Sequence, residues 1–148
     1  MSMSSREELT AILARTTGSQ APAPAKVADA ASILAMRETV RRVQAADHVS
    51  DYIARLVLAT HPGAGASPVA ARYVRYGASP RAAQAIMLGA KVLALRDGRA
   101  NISFADVRAV APAALRHRLV LTFEGQAEGI APSTIVTDVL ENVPENPK

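Results

Sequence analysis

One long segment, Pro80–Asp97, constrains the fold more than any other part of the chain. Nearly every residue in it is apolar or a helix former, and its polar residues Arg81, Gln84 and Lys91 keep to one narrow stripe. A helix that is apolar over most of its circumference has to be covered on most sides. Gly89 and several alanines would let neighbouring helices approach closely. The segment therefore predicts the central helix of an all-α bundle.

The composition agrees with one globular domain that has an aliphatic core. Of 148 residues, 49% are hydrophobic and 20% charged, whereas only 3% are aromatic. The absence of cysteine excludes disulfides, thiolate metal sites and cysteine catalysis. The sequence contains neither an apolar run of the ~18 residues a membrane span needs nor the core of a signal peptide. We therefore expect a cytoplasmic location and no membrane partner.

Helical periodicity and capping patterns predict about six helices in all. Ser5 and Ser103 are each followed three positions later by an acid, Glu8 or Asp106, which is the pattern of a capping box. Pro112 is expected to break the helix that Ser103 opens and to begin a new turn that reaches Arg118. Besides the central helix, five helices are predicted. The first starts at Ser5, the second at Asp29 or Ser32, and the third is capped by Asp47; the last two start at Ser103 and near Pro132. Apolar positions at helical spacing indicate their buried faces: Leu9, Ile12 and Leu13; Ile33, Met36, Val40 and Val43; Val49, Tyr52, Ile53, Leu56, Val57 and Thr60; Ile135, Val136, Val139, Leu140 and Val143.

The remaining segments are predicted to be loop, linker or short extended chain. Residues 19–26 are rich in Ala and Pro and indicate a linker, so residues 1–26 would form one part and residues 27–148 a helical domain. Residues 60–77 are expected to be loop, with a minor β piece near 73–76 or 119–123. The tetrapeptide Gly-Ala-Ser-Pro occurs at 65–68 and again at 77–80, and we interpret the first copy as coincidence because only the second precedes a long helical pattern.

The start of the central helix places a cation where the helix dipole disfavours it. Ser79 is a good N-cap residue, and Pro80 suits the first helical position. Arg81 then lies in the first turn, where a positive charge costs roughly 0.3–1 kcal/mol. Backbone N–H groups at a helix start and a guanidinium together bind phosphate well. Ser79, Pro80 and Arg81 are therefore the candidate phosphate-binding residues, the alternative being an exposed arginine that happens to follow a Ser-Pro cap.

The six residues Gly77–Ala82 resemble the sensor 2 motif of the MoxR family of AAA+ ATPases. Further resemblances to this family follow in the same order along the chain: Ser5–Gly18 to the segment that leaves the ATPase core, Asp47–Ile53 to the second helix of the lid, and Asp106–Pro112, Leu115–Arg118 and Phe123–Gly129 to its C-terminal half. The resemblance implies a C-terminal lid domain, a small helical bundle. Residues 1–26 would then be the core-to-lid connecting helix and linker.

The resemblance also implies a role in an ATP-driven machine. In this family the arginine projects from the lid onto the ATP phosphates, so Arg81 would contact the β- and γ-phosphates, and Ser79 and Pro80 would aim it. ATP and Mg²⁺ would be bound through the missing core. Implied partners are that core, neighbouring subunits of a hexamer and a von Willebrand factor A-domain protein. The implied function is chaperone-like maturation or activation of protein complexes.

The chain lacks the residues that would hydrolyse ATP. No Gly-x-x-x-x-Gly-Lys-Ser/Thr phosphate loop is present, and the glycine-containing stretch 61–67 has no lysine. Residues 119–124 superficially resemble a strand that ends in a Walker B acid, a match that we attribute to chance. We therefore expect no enzyme activity from this chain alone, whereas the parent polypeptide would be an ATPase.

Other charged groups have simpler explanations than catalysis. The cluster Arg116-His117-Arg118 is expected to decorate a helix C-terminus, with one member paired to Glu124 or Glu128. The three histidines, His48, His61 and His117, lack the spacing of a helical zinc site, so no metal site is expected.

The alternative function is a helical DNA-binding or dimerisation module. The segment from Gly98 to Ser103 resembles part of a histone fold, and the formal charge is +4. DNA binding would need clustered surface arginines. The arginines are instead scattered over several predicted helices, so we do not expect a nucleic-acid partner.

Overall fold

The computed structural model describes residues 4–18 and 25–146. Within these residues it contains eight helices and one two-stranded sheet, so the all-α prediction is confirmed. The elements are α1 (Arg6–Thr16), α2 (Ala30–Arg42), α3 (Asp47–Ala59), α4 (Pro68–Tyr73), β1 (Val74–Tyr76), α5 (Pro80–Arg96), α6 (Phe104–Leu115), β2 (Val120–Leu121), α7 (Phe123–Ala127) and α8 (Pro132–Asn142). None of the helices described is long and apolar enough to span a membrane.

The chain divides into two compact units between residues 34 and 35. In the first unit, α1 begins with the predicted capping box, in which Ser5 Oγ accepts from the Glu8 N–H and the Glu8 carboxylate accepts from the Ser5 N–H. No residue of α1 is buried. Residues 19–24 of the predicted linker lie outside the described residues, and the division at residue 26 stays a prediction.

The core of the second unit is built around α5, as predicted. The α5 residues Ala82, Ile86, Ala90 and Ala94 have no exposed surface, and α6 forms the most extensive contact with this helix. The predicted stripe of α3 is buried throughout, and Ile135, Val136 and Val139 bury α8 against the same core. The aliphatic core expected from the composition is thus assembled from α3, α5, α6 and α8.

The α5–α6 contact depends on a glycine. A Cβ atom placed on Gly89 would lie 2.6 Å from Val110 Cγ1, well inside van der Waals contact. This confirms the close approach that the sequence predicted. The sequence also predicts that α5 is covered on most sides, and this prediction is wrong. Leu88 and Val92 on α5 remain 43% and 49% exposed, because α2 covers this face only partly and leaves a cavity of about 300 Å³ between the two helices.

Both candidate β segments form and pair with each other. β1 and β2 run antiparallel, with Val74 opposite Leu121 and Tyr76 opposite Val120. β1 leads directly into the loop before α5, so this ribbon helps to fix where α5 starts.

Residues 60–77 are not all loop, because they contain α4. Ala70 and Tyr73 are buried, and an Asp138 carboxylate oxygen from α8 accepts a hydrogen bond from the Val69 N–H at 2.9 Å. A cap supplied from a distant helix stabilises six residues whose local sequence predicts no helix.

Three other helix predictions are corrected by the structure. α6 continues through Pro112, because buried residues on both sides of the proline hold one face of the helix against the core. Ala46 rather than Asp47 is the N-cap of α3, so Asp47 lies in the first turn, where the dipole favours an acid. The predicted apolar face of α2 is mostly exposed, with Ile33 at 49% and Met36 at 57%. α2 is therefore held mainly at its C-terminal end, where the next residue, Val43, is buried.

Candidate phosphate site at the start of α5

The start of α5 presents an arginine beside an uncapped helix end. Ser79 occupies the N-cap position and Pro80 the first helical position, as predicted. The Ser79 side chain makes no capping hydrogen bond, and the first turn contains no acid. By contrast, Ser5, Ser103 and Thr122 each cap their own helices. The positive end of the α5 dipole therefore has no side-chain acceptor of its own.

The guanidinium of Arg81 is available to an external anion. Arg81 is exposed, and within residues 4–18 and 25–146 its side chain has no hydrogen-bonded or ion-paired partner. Five other arginines in these ranges form ion pairs with carboxylates: Arg55, Arg72, Arg96, Arg99 and Arg108. An exposed, unpaired guanidinium at a helix N-terminus suits an oxyanion ligand.

The loop before Arg81 is anchored to the end of α3. Ala78 is fully buried, and its N–H donates to Thr60 Oγ1 at 2.9 Å. The Thr60 hydroxyl in turn donates to the Val57 carbonyl at 2.6 Å. His61 Nε2 lies 2.9 Å from the Ala78 carbonyl oxygen, so this nitrogen carries the hydrogen and donates. Both backbone polar groups of Ala78 are therefore held by side chains of the two residues that follow α3, Thr60 and His61.

The sequence pattern does not identify Thr60 or His61 as parts of this site. It indicates only that Thr60 ends an apolar stripe and that His61 lacks the spacing of a metal ligand. A buried hydroxyl at the end of such a stripe needs a partner, which was the available signal for Thr60. Nothing local in the sequence pointed to His61.

The first Gly-Ala-Ser-Pro copy also starts a helix, so the two copies share a structural role. Ser67 is the N-cap of α4 and Pro68 its first residue. The Ser67 N–H donates to the Ala59 carbonyl at 3.1 Å, which places this copy at the end of α3 as well. Only the second copy is followed by an arginine.

The predicted pairing of the Arg116–Arg118 cluster with Glu124 or Glu128 is wrong. Arg116 and His117 are exposed, and Arg118, which follows α6, donates to the carbonyl of Ala114 in that helix. Glu124 and Glu128 instead accept from Arg72, which lies on α4.

Glu124 is also the last residue of the segment 119–124, which resembles a Walker B strand. Glu124 lies on α7, and its ion pair with Arg72 gives it a structural role at the surface between α4 and α7.

Arg99, in the segment that resembles a histone fold, is held by the protein's own carboxylates. It forms two hydrogen bonds to Asp106, at 2.7 and 2.8 Å, and one to Asp97 at 3.1 Å. These bonds use much of the donor capacity that DNA would need.

Comparisons with known proteins agree with this fold. The family model of the AAA lid domain matches residues 67–139. Chaperone MoxR1 of Mycobacterium tuberculosis is 35% identical over 95 residues, which cover 63% of this chain and 25% of that protein. A solved structure, a candidate ATPase from Cytophaga hutchinsonii, superposes with a TM-score of 0.82 at 27% identity and is matched over 97% of this chain and 44% of its own.

These matches run along both the helical bundle and the segment that carries the Ser79–Arg81 motif. The chain spans about a quarter of the curated relative and less than half of the solved one. The chain contains an AAA+ lid domain of the MoxR family.

Proposed function

We propose that Arg81 is the sensor 2 arginine of an AAA+ ATPase and contacts the β- and γ-phosphates of ATP bound to the parent core. The observation that carries this proposal is the exposed guanidinium of Arg81, which is unpaired among the described residues and lies at the uncapped N-terminus of the 17-residue helix α5. Both the guanidinium and the helix end are positive, so they favour the same ligand, an oxyanion.

The residues around Arg81 fit a phosphate and leave the rest of the nucleotide to the core. Ser79 and Pro80 define the start of α5 and with it the direction in which Arg81 leaves the helix. Arg81 would stabilise the charge that develops on the phosphoryl oxygens during transfer. Mg²⁺ and the base of ATP would be held by core residues.

The wider role is that of a mobile lid over bound ATP in a chaperone-like ATPase. The name of the mycobacterial relative includes "chaperone". We infer that the parent polypeptide hydrolyses ATP in the cytoplasm as a hexamer and uses the lid to report nucleotide state to the neighbouring subunit. Maturation or activation of protein complexes, with a von Willebrand factor A-domain partner, is the corresponding cellular role.

An NMR titration of this chain distinguishes the nucleotide lid from the DNA-binding alternative. Mg-ATP and duplex DNA are added separately, each at two salt concentrations. We expect weak ATP-dependent shifts confined to residues 79–84 and none with DNA. Salt-dependent DNA shifts spread over the arginine-bearing helices would contradict the proposal and favour a nucleic-acid-binding module.

The decisive variant is Arg81→Ala in the full-length ATPase. We expect kcat for ATP hydrolysis to fall about a hundredfold, because a preorganised cation at the transferring phosphoryl group is lost. Arg116→Ala is the matched control, since Arg116 is also exposed but lies in the cluster after α6. A normal rate of hydrolysis in the Arg81→Ala enzyme would rule out the sensor role.

A further inference from the structure

We propose that Thr60 and His61, at the end of α3, are positioning residues that hold Arg81 in place for the phosphates. This inference rests on the proposed function of Arg81 and adds the elements that would control its geometry. Neither residue has to touch ATP. Their effect would pass through the backbone of Ala78, three residues before Arg81.

Side chains fix both polar backbone groups of Ala78. Its N–H donates to Thr60 Oγ1, and its carbonyl accepts from His61 Nε2, each at 2.9 Å. Ala78 immediately precedes Ser79, the residue at which α5 begins. Two bonds in opposite directions on one residue fix the orientation of the peptide planes that lead into the helix.

Thr60 is itself rigidly held. It has no exposed surface, and its hydroxyl donates to the Val57 carbonyl while it accepts from Ala78. α3 is anchored by its buried stripe, which includes Tyr52 and Leu56. The support under the loop therefore belongs to the core rather than to a mobile surface segment.

Gly77 lies in close contact with His61 and Thr60. A Cβ atom on Gly77 would lie 2.6 Å from His61 Cδ2 and 2.7 Å from both His61 Cγ and Thr60 Oγ1. The loop therefore passes directly against the two side chains that bond to Ala78, and only glycine allows this approach. The two hydrogen bonds to Ala78 and the close approach of Gly77 together determine where the chain enters α5.

A positioning role follows because catalysis depends steeply on geometry. Displacing a catalytic cation by about 1 Å can cost on the order of a hundredfold in rate. His61 is exposed apart from its contacts with the loop, so its removal would disturb Arg81 more than it would disturb the core.

The test uses the full-length ATPase with His61→Ala, His61→Gln and Thr60→Val, and with His117→Ala as the matched histidine control. We expect His61→Ala to lower kcat about tenfold with little change in thermal unfolding. His61→Gln should restore part of the rate, because its side-chain amide can donate to the Ala78 carbonyl. His117 is exposed and outside the proposed site, so its replacement should leave the rate unchanged.

A double variant separates positioning from general stability. If His61 acts through Arg81, then Arg81→Ala/His61→Ala should be no slower than Arg81→Ala alone. Additive rate losses would overturn the inference. So would normal rates for both His61→Ala and Thr60→Val in an enzyme that Arg81→Ala slows. If Arg81→Ala itself has no effect, the proposed function fails, and the two failures are thereby distinguished.

Hydrogen exchange in this chain gives a readout that needs no nucleotide. The Ala78 amide should exchange faster in Thr60→Val, because its acceptor is lost, while amides in the middle of α5 keep their protection. Thr60→Ser retains the hydroxyl and should restore slow exchange. Unchanged protection of Ala78 in Thr60→Val would contradict the support that this inference requires.

Discussion

Asp106 shows at the residue scale how one side chain can fix a turn between helices. Its carboxylate is 6% exposed and accepts from both terminal nitrogens of Arg99 and from the backbone N–H and hydroxyl of Ser103. The Arg99 guanidinium, with further help from Ser103, lowers the pKa of Asp106 to about 2. The charged carboxylate therefore stabilises the folded state.

This pKa predicts an acid-dependent loss of stability. A carboxyl whose pKa is lower in the folded than in the unfolded chain contributes stability above its unfolded value near 4, and this contribution is lost as the pH falls toward 2. We expect Asp106→Asn to lower the free energy of unfolding by about 2 kcal/mol at pH 7. Urea unfolding at pH 7 and pH 3 measures both effects, and the difference between wild type and variant should shrink at pH 3.

Asp97→Asn is the control for this prediction. Asp97 also pairs with Arg99, but its side chain is 42% exposed, so solvent screens the interaction. An equal loss of stability in the two variants would contradict the importance of burial at Asp106.

At the scale of elements, the contact between α5 and α6 is set by Gly89. Helix propensity alone predicts that Gly89→Ala stabilises α5 by about 1 kcal/mol. The new Cβ atom would instead overlap Val110 Cγ1 at 2.6 Å and crowd Cγ2 at 3.2 Å. We therefore expect a net destabilisation of about 1–3 kcal/mol, measured by chemical unfolding.

The double variant Gly89→Ala/Val110→Ala identifies the cause. Truncating Val110 removes the overlapping methyl groups, so adding Gly89→Ala to Val110→Ala should cost nothing or stabilise the protein. A similar destabilisation in both backgrounds would show that the clash is not responsible.

The two short helices show why element boundaries were harder to predict than the long helices. α5, α3 and α8 carry periodic apolar faces, and the structure confirms all three. α4 has six residues and α7 has five, too few for a reliable period. Tertiary contacts stabilise them, including the Asp138 cap on α4 and the bonds of Arg72 to Glu124 on α7 and to Glu128, the residue that follows α7.

At the scale of the whole molecule, the chain should tolerate loss of one end and not the other. No residue of α1 is buried, so removing residues 1–26 should change the melting temperature by less than about 2 °C. Circular dichroism on heating measures this. A large fall would contradict the prediction that residues 27–148 form a domain by themselves.

A second truncation, which ends the chain after Asn142, tests the C-terminal end in the same way. It removes buried Val143 and the carbonyls of Pro144 and Glu145, which accept from Arg55 at 2.6 and 3.0 Å. We expect the melting temperature to fall by about 3–8 °C.

The sequence alone determined the features that depend on neighbouring residues. The capping boxes at Ser5 and Ser103, the apolar stripe of α3 and the start of α5 at Ser79-Pro80 are local patterns of spacing and residue type, and the structure confirms each. The resemblance to an AAA+ lid rested on several such local motifs in order. The role of Arg81 remains a proposal on the same basis.

Only the tertiary structure decided which distant groups meet. Asp138 caps α4 from a position 69 residues away from Val69 in the sequence. Thr60 and His61 bond to Ala78, from which they are separated by 18 and 17 positions. Glu124 pairs with Arg72 rather than with the Arg116–Arg118 cluster for the same reason. These partners are chosen by the packing of whole helices, which brings together side chains whose sequence separation carries no periodic signal. The fold of this lid is therefore largely legible from local patterns, whereas the support beneath its candidate phosphate site is not.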